Sequence, residues 1–201
     1  MRVAPFALLP RLAGSARVRP LGLAPGATHL EIASLVGLGA SAALLTTFVD
    51  FNLGIPGHHI VYAMLPVALG FALVPRRLAG TFMSASACAT VAGFGIAGAR
   101  IPGVGVLTGL ALLGPLLDLA LRWGGTGPRL YTGFVAAGAV ANIVAFLVRG
   151  AAKYFGFRGL GGTRHFDAWL PVASWTYVAA GMLAGLLGAA AWFKLHRRNA
   201  S

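Results

Sequence analysis

The stretch Asn52–Arg77, NLGIPGHHIVYAMLPVALGFALVPRR, decides the fold. A Gly/Pro turn hands two adjacent histidines, His58 and His59, to the start of an apolar run that carries no charge until Arg76 and Arg77. A hydrophobic helix thus has imidazoles at one end and a pair of cations at the other. In a bilayer that arrangement sets the histidines toward one surface and anchors the arginines at the opposite one.

The rest of the chain supplies more helices of the same kind. Of its 201 residues 58% are hydrophobic and only 10% are charged, with a mean hydropathy of +0.81. Soluble domains carry about a quarter charged residues, so this chain cannot cover a water-facing surface, and lipid must be its main solvent. Six apolar spans are expected, at about 29–49, 58–74, 79–99, 103–121, 131–148 and 169–193. Lipid leaves no partner for an open backbone, so these spans are helices. The fold class is an all-α integral membrane protein, a bundle of about six transmembrane helices. Residues 1–28 form a basic arm, cytoplasmic or interfacial; 29–195 form a single transmembrane domain; 196–201 form a short cytoplasmic tail.

The formal net charge of +12 resembles a nucleic-acid signal, but its placement argues against that partner. The cations fall between and beyond the apolar spans. Arg2, Arg11, Arg17, Arg19, Arg76, Arg77, Arg122, Arg129, Lys194, Arg197 and Arg198 belong to one side; Arg100, Arg149, Lys153, Arg158 and Arg164 belong to the other. The heavier side is cytoplasmic by the positive-inside rule, which puts both termini there and makes the inner cell membrane the expected location. Small residues recur every four positions in several spans: Ala33, Gly37 and Ser41; Ala85, Ala89, Gly93 and Ala97; Gly133, Ala137 and Ala141; Gly181, Gly185 and Ala189. Such rows let helix backbones approach closely in lipid. The single cysteine, Cys88, excludes a disulfide framework and a cysteine-based zinc site.

The polar residues inside or beside the spans are the candidates for chemistry. Histidine is the commonest transition-metal ligand, which makes His58 and His59 the first candidates for metal and substrate. Adjacent helical side chains diverge by about 100°, so the two do not clamp one ion from regular helical positions; a helix-entry pair bonded to the loop is the plain alternative. Asp50 and Asn52 lie on the same side, as do His165 and Asp167 in GGTRHFDAW. Asn142 falls near the middle of the fifth span, where a buried amide either binds solute or bonds a neighbouring helix. Asp118 stands one turn before Arg122 and reads as an (i, i+4) pair at the cytoplasmic end. No HExxH, Walker A or GxSxG sequence is present. Ser84, Ser86 and Thr90 have no span-core histidine to activate them, so no enzymatic activity and no covalent cofactor are expected.

Two stretches carry a family resemblance. PGHHIVYAMLPVALGFALVPRRLAG (56–80) and GVGVLTGLALLGPLLDLALR (103–122) resemble the membrane substrate-binding (S) components of energy-coupling-factor (ECF) transporters, most closely the cobalt/nickel-uptake type. The first stretch shares a Gly-rich loop that ends in Gly-His and opens a small-residue helix; the second shares a mid-helix Gly-Pro before a basic turn. The resemblance implies six helices, cytoplasmic termini, and capture of a metal ion or small vitamin-like solute from outside. It implies partners as well: a transmembrane coupling subunit and ATPase subunits, docked through Ala33, Gly37 and Ser41. His58, or His59 by a one-residue slip, would carry the family's histidine. The metal-specific members place a second histidine directly after the initiator Met, where this chain has Arg2. The loop before the sixth span is also basic and aromatic, which suits a planar or acidic organic solute. A structural or assembly protein without a solute site is the alternative reading.

Overall fold

The computed structural model describes residues 19–20, 28–49, 55–123, 128–157 and 166–198. Six helices fill them: α1 (His29–Phe48), α2 (His59–Leu73), α3 (Ala79–Ile96), α4 (Val104–Trp123), α5 (Pro128–Tyr154) and α6 (Phe166–Arg198). Successive helices alternate in direction, so both ends of the bundle's chain lie at the end that holds Arg76 and Arg77. Going round the bundle, the neighbours run α1, α3, α4, α5, α6, α2 and back to α1, and α2 also touches α3 and α4. Five of the helices are long and apolar enough to cross a membrane. Their outward faces carry large apolar side chains such as Val36, Leu44, Leu147 and Leu183, which is the surface lipid requires. The chain is therefore a multi-pass membrane protein of all-α class.

The second span keeps its expected bounds to one residue at each end but is too short to cross the hydrocarbon unaided. α2 has 15 residues, about 22 Å at 1.5 Å per residue, against roughly 30 Å of hydrocarbon. The Pro56–Gly57 turn at its start and Val74–Pro75 at its end cut the apolar run short. α2 is also the innermost helix, and most of its residues are buried, including Met64, Val67 and Phe71. α5 and α6, by contrast, extend beyond the expected spans, because their ends stay helical outside the apolar core.

Glycine sets the closest contacts. A Cβ added to Gly181 would lie 2.6 Å from the carbonyl oxygen of Gly138, so α5 and α6 meet backbone to backbone. A Cβ on Gly80 would lie 2.5 Å from the Gly114 carbonyl oxygen, which brings α3 and α4 together in the same way. The α6 row of Gly181, Gly185 and Ala189 is thus buried between helices. The α1 and α3 rows are not: Ala33, Gly37, Ala85, Ala89 and Gly93 are exposed on the outer surface. α1 instead meets α3 through Gly39, whose added Cβ would come 2.8 Å from Ser86 Cβ.

Polar ties staple the arginine end. Asp118 does not act as the simple partner of Arg122; its carboxylate accepts from the backbone N–H groups of Gly80 (3.1 Å) and Thr81 (2.6 Å) and from the Thr81 hydroxyl (2.7 Å). It thereby satisfies the free donors at the start of α3. That tight start forces Leu78 into the left-handed region, φ 67°. Thr28 and Glu31 form a reciprocal capping box at the start of α1. Glu31 also takes a two-point ion pair from Arg76 at 2.9 and 3.0 Å. A two-residue parallel bridge, β1 (Arg19–Pro20) with β2 (Arg76–Arg77), joins the N-terminal arm to the α2–α3 connection.

Candidate solute site at the histidine end

The turn that opens α2 lies deep in the bundle. Gly57 adopts φ 86°, a conformation that glycine alone takes readily. An added Cβ there would also press on the Tyr177 ring at 2.8 Å. The Gly57 carbonyl accepts from Asn142 Nδ2 at 3.2 Å, and the same amide donates to the Tyr177 carbonyl at 2.7 Å. By helical rise, Asn142 stands about 18 Å from the outer end of α5 and Tyr177 about 16 Å from that of α6. The non-helical backbone before α2 is therefore held near mid-depth. Non-helical backbone at membrane depth is tolerated where protein buries it or where it lines a cavity. The short α2 and the deep turn are one feature.

The histidine pair sits on this turn. A carbonyl oxygen only accepts, so the contact between His58 Nδ1 and the Ile55 carbonyl fixes the proton on Nδ1. In the neutral ring this leaves the lone pair on Nε2, an atom that is buried and without a partner. That is the tautomer in which an imidazole accepts a hydrogen bond or ligates a metal through Nε2. The His58 and His59 rings stack 4.2 Å apart, 30° from parallel, and Tyr62 meets both edge-on. Ring lone pairs lie in the ring plane, so in this stack they run side by side and do not converge on one ion.

A cavity of about 20 Å³ adjoins the turn, lined among others by Thr46, His59, Gly109, Asn142 and Tyr177. That space admits about one water or a single small ion. Gly105 and Gly109 of α4 make the room for it; a Cβ on Gly109 would meet only the Ala145 methyl, at 4.0 Å. Buried polar atoms without partners are rare and call for an explanation. Among the described residues Thr47 Oγ1, His58 Nε2 and Trp169 Nε1 are such atoms, and all three lie at this end of the bundle.

The other candidate residues fall in different places. Asn142 is buried; it ties α5 to the turn and to α6, and it lines the cavity. Asp167 is exposed in the first turn of α6, where a carboxylate suits the helix dipole, and it does not line the cavity. Asn52 and His165 lie outside the described residues, as do Asp50, Arg158 and Arg164. Of the loop cations that remain, Arg149 donates to the Tyr177 hydroxyl at 3.3 Å and Lys153 lies over the Trp169 ring at 5.5 Å. Among the described residues no three His, Cys, Asp or Glu side chains cluster. The hydroxyls of α3 act as ties: Ser84 Oγ accepts from Gly114 N–H, Ser86 Oγ donates to the Val36 carbonyl, and Thr90 Oγ1 donates to the Ser86 carbonyl.

Thr46, Gly109 and Tyr177 carry no signal in the sequence alone. Each is an ordinary residue of an apolar span, and only the packing of α1, α4 and α6 around the deep turn brings them together. No family model, curated protein or solved structure matches the chain.

Proposed function

We propose that the chain is the solute-capturing membrane subunit of an importer of the energy-coupling-factor type in the inner cell membrane. Its solute, a transition-metal ion or a small vitamin-like molecule, enters from the histidine end. The observation that carries this reading is the deep non-helical turn, which holds the unpartnered His58 Nε2 and borders a small cavity through Gly57 and His59. Membrane carriers bind their solutes near mid-depth, where broken or shortened helices expose backbone and side-chain polar groups. The opposite end is stapled by Asp118 and by the Glu31–Arg76 pair, an asymmetry that suits access from one side only.

For a metal ion, His58 Nε2 is the natural first ligand, and further donors would come from Asn52 or His165, or from His59 once the stacked rings separate. An organic solute needs more than the present 20 Å³, so its entry would require the turn at 55–58 to shift outward. Energy would come from ATPase partners through a coupling subunit. The outward row of Ala33, Gly37 and Ser41, with open space over Gly37, is the proposed docking face.

Equilibrium dialysis of the detergent-purified chain against Co²⁺ or Ni²⁺ tests the metal arm, with one ion per chain expected and its loss in His58→Ala. Release of a small organic molecule on denaturation, seen by mass spectrometry, would assign the vitamin-like arm. A chain that takes up neither ion and releases no such molecule contradicts the proposal. Gly37→Leu should abolish co-purification with ATPase subunits from native membranes while leaving solute capture intact.

A further inference from the structure

A second concave site lies on the opposite half of the molecule. It is a groove of about 480 Å³ on the outer face of the α4–α5 seam, within the size range of small-molecule sites. Small residues, Ala120, Gly133 and Ala136, form its floor, and Leu116 and Val140 line it toward the bundle's centre. Arg129 and Trp123 line it at the arginine end. Along α5 the groove runs from Arg129 to Val140, about 16 Å by helical rise. That is close to half of the roughly 30 Å hydrocarbon thickness, so the groove spans one leaflet.

We propose that this groove binds an anionic phospholipid of the cytoplasmic leaflet, one acyl chain in the groove and the phosphate at Arg129 and Arg122. Three observations point to that occupant. The groove is apolar along its length and cationic at one end, the polarity of a phospholipid. Arg122, beside Trp123 on α4, is exposed like Arg129, and the nearby acid Asp118 is turned to the start of α3, so no carboxylate competes for the pair. Trp123 is 76% exposed, at the level where interfacial aromatics meet headgroups. Basic pockets between helices on the cytoplasmic side are where anionic headgroups bind. A second copy of the chain is a poorer occupant, because a symmetric contact here would bring two arginine pairs together.

Native mass spectrometry of delipidated protein titrated with phosphatidylglycerol or phosphatidylcholine of identical chains tests the proposal. The wild type should retain phosphatidylglycerol at least tenfold better, the scale of two surface cations. Arg122→Gln with Arg129→Gln should erase that preference while some of either lipid still binds. Ala136→Phe, which fills the exposed floor, should reduce retention of both lipids. Equal retention of the two lipids by wild type overturns the proposal without any variant. So does a preference that survives the double substitution, or a groove-filled variant that holds phosphatidylglycerol as wild type does.

Discussion

Two glycines five residues apart on α4 should respond in opposite ways to the same methyl group. At Gly114 an added Cβ would collide with the Gly80 carbonyl and lie 2.5 Å from Ser84 Oγ. Backbone cannot step aside as a side chain can, so α3 and α4 must separate. Overpacking of this kind costs about 1–3 kcal/mol, and loss of the Gly114 N–H bond to Ser84 (3.0 Å) adds about 0.6 kcal/mol. The gain in helix propensity from Gly to Ala offsets about 0.8–1.0 kcal/mol. Gly114→Ala is therefore expected to destabilise by about 1–3 kcal/mol. At Gly109 the new methyl meets only Ala145 Cβ at 4.0 Å, so the propensity gain stands alone and Gly109→Ala should stabilise by up to about 1 kcal/mol. Reversible unfolding in mixed micelles, followed by circular dichroism, measures both. Equal effects of the two substitutions, or a more stable Gly114→Ala, would refute the close α3–α4 contact.

Other outcomes follow from the polar ties and from the strained backbone at Leu78. Asn142→Leu removes the donor to the Gly57 and Tyr177 carbonyls and should destabilise by about 1–2 kcal/mol, as measured in the same micelle assay; an unchanged midpoint would mean that the deep turn is held by something else. Asp118→Leu leaves the first donors of α3 without their cap and should cost about 1–2 kcal/mol, read as a lower unfolding midpoint. Leu78→Gly relieves the left-handed backbone at φ 67° and should raise the midpoint by up to about 1 kcal/mol, since the leucine is half-exposed and buries little.

The helices were legible because lipid leaves the chain one option. An uninterrupted apolar run becomes a helix, and Arg76–Arg77, Arg100 and Pro128–Arg129 mark its ends. The short α2 was harder to read. PGHHIVYAM looks apolar from Ile60 onward, and only the bond between Gly57 and Asn142, 85 residues away, shows that the turn enters at mid-depth. Helix pairing was only partly legible. Ala and Gly are so frequent that four-residue rows arise on lipid-facing sides as readily as in contacts, which is why Gly37 and Gly93 face outward while Gly39 and Gly114 make the approaches. Asn142 was legible as an interior residue, because a mid-span amide must find partners. The role of Asp118 was not, because the nearest cation in sequence, Arg122, is a weaker attraction than two free backbone donors and a hydroxyl at the start of α3. The cavity was illegible as a whole because its walls come from five helices; His59 and Asn142 stood out in the sequence, but Thr46, Gly109 and Tyr177 have no local oddity.

The central claim is that the cavity at the histidine end holds a solute. Native mass spectrometry with elemental analysis, on wild type and on Gly109→Leu purified gently from cells, tests it most directly. Gly109 borders the cavity with open space in front of it, so a leucine side chain there more than takes up the space a solute would use. A stoichiometric passenger on wild type, metal or small organic molecule, that is absent from Gly109→Leu is the result expected. An empty wild type, or a passenger carried equally by the filled variant, would contradict the assignment.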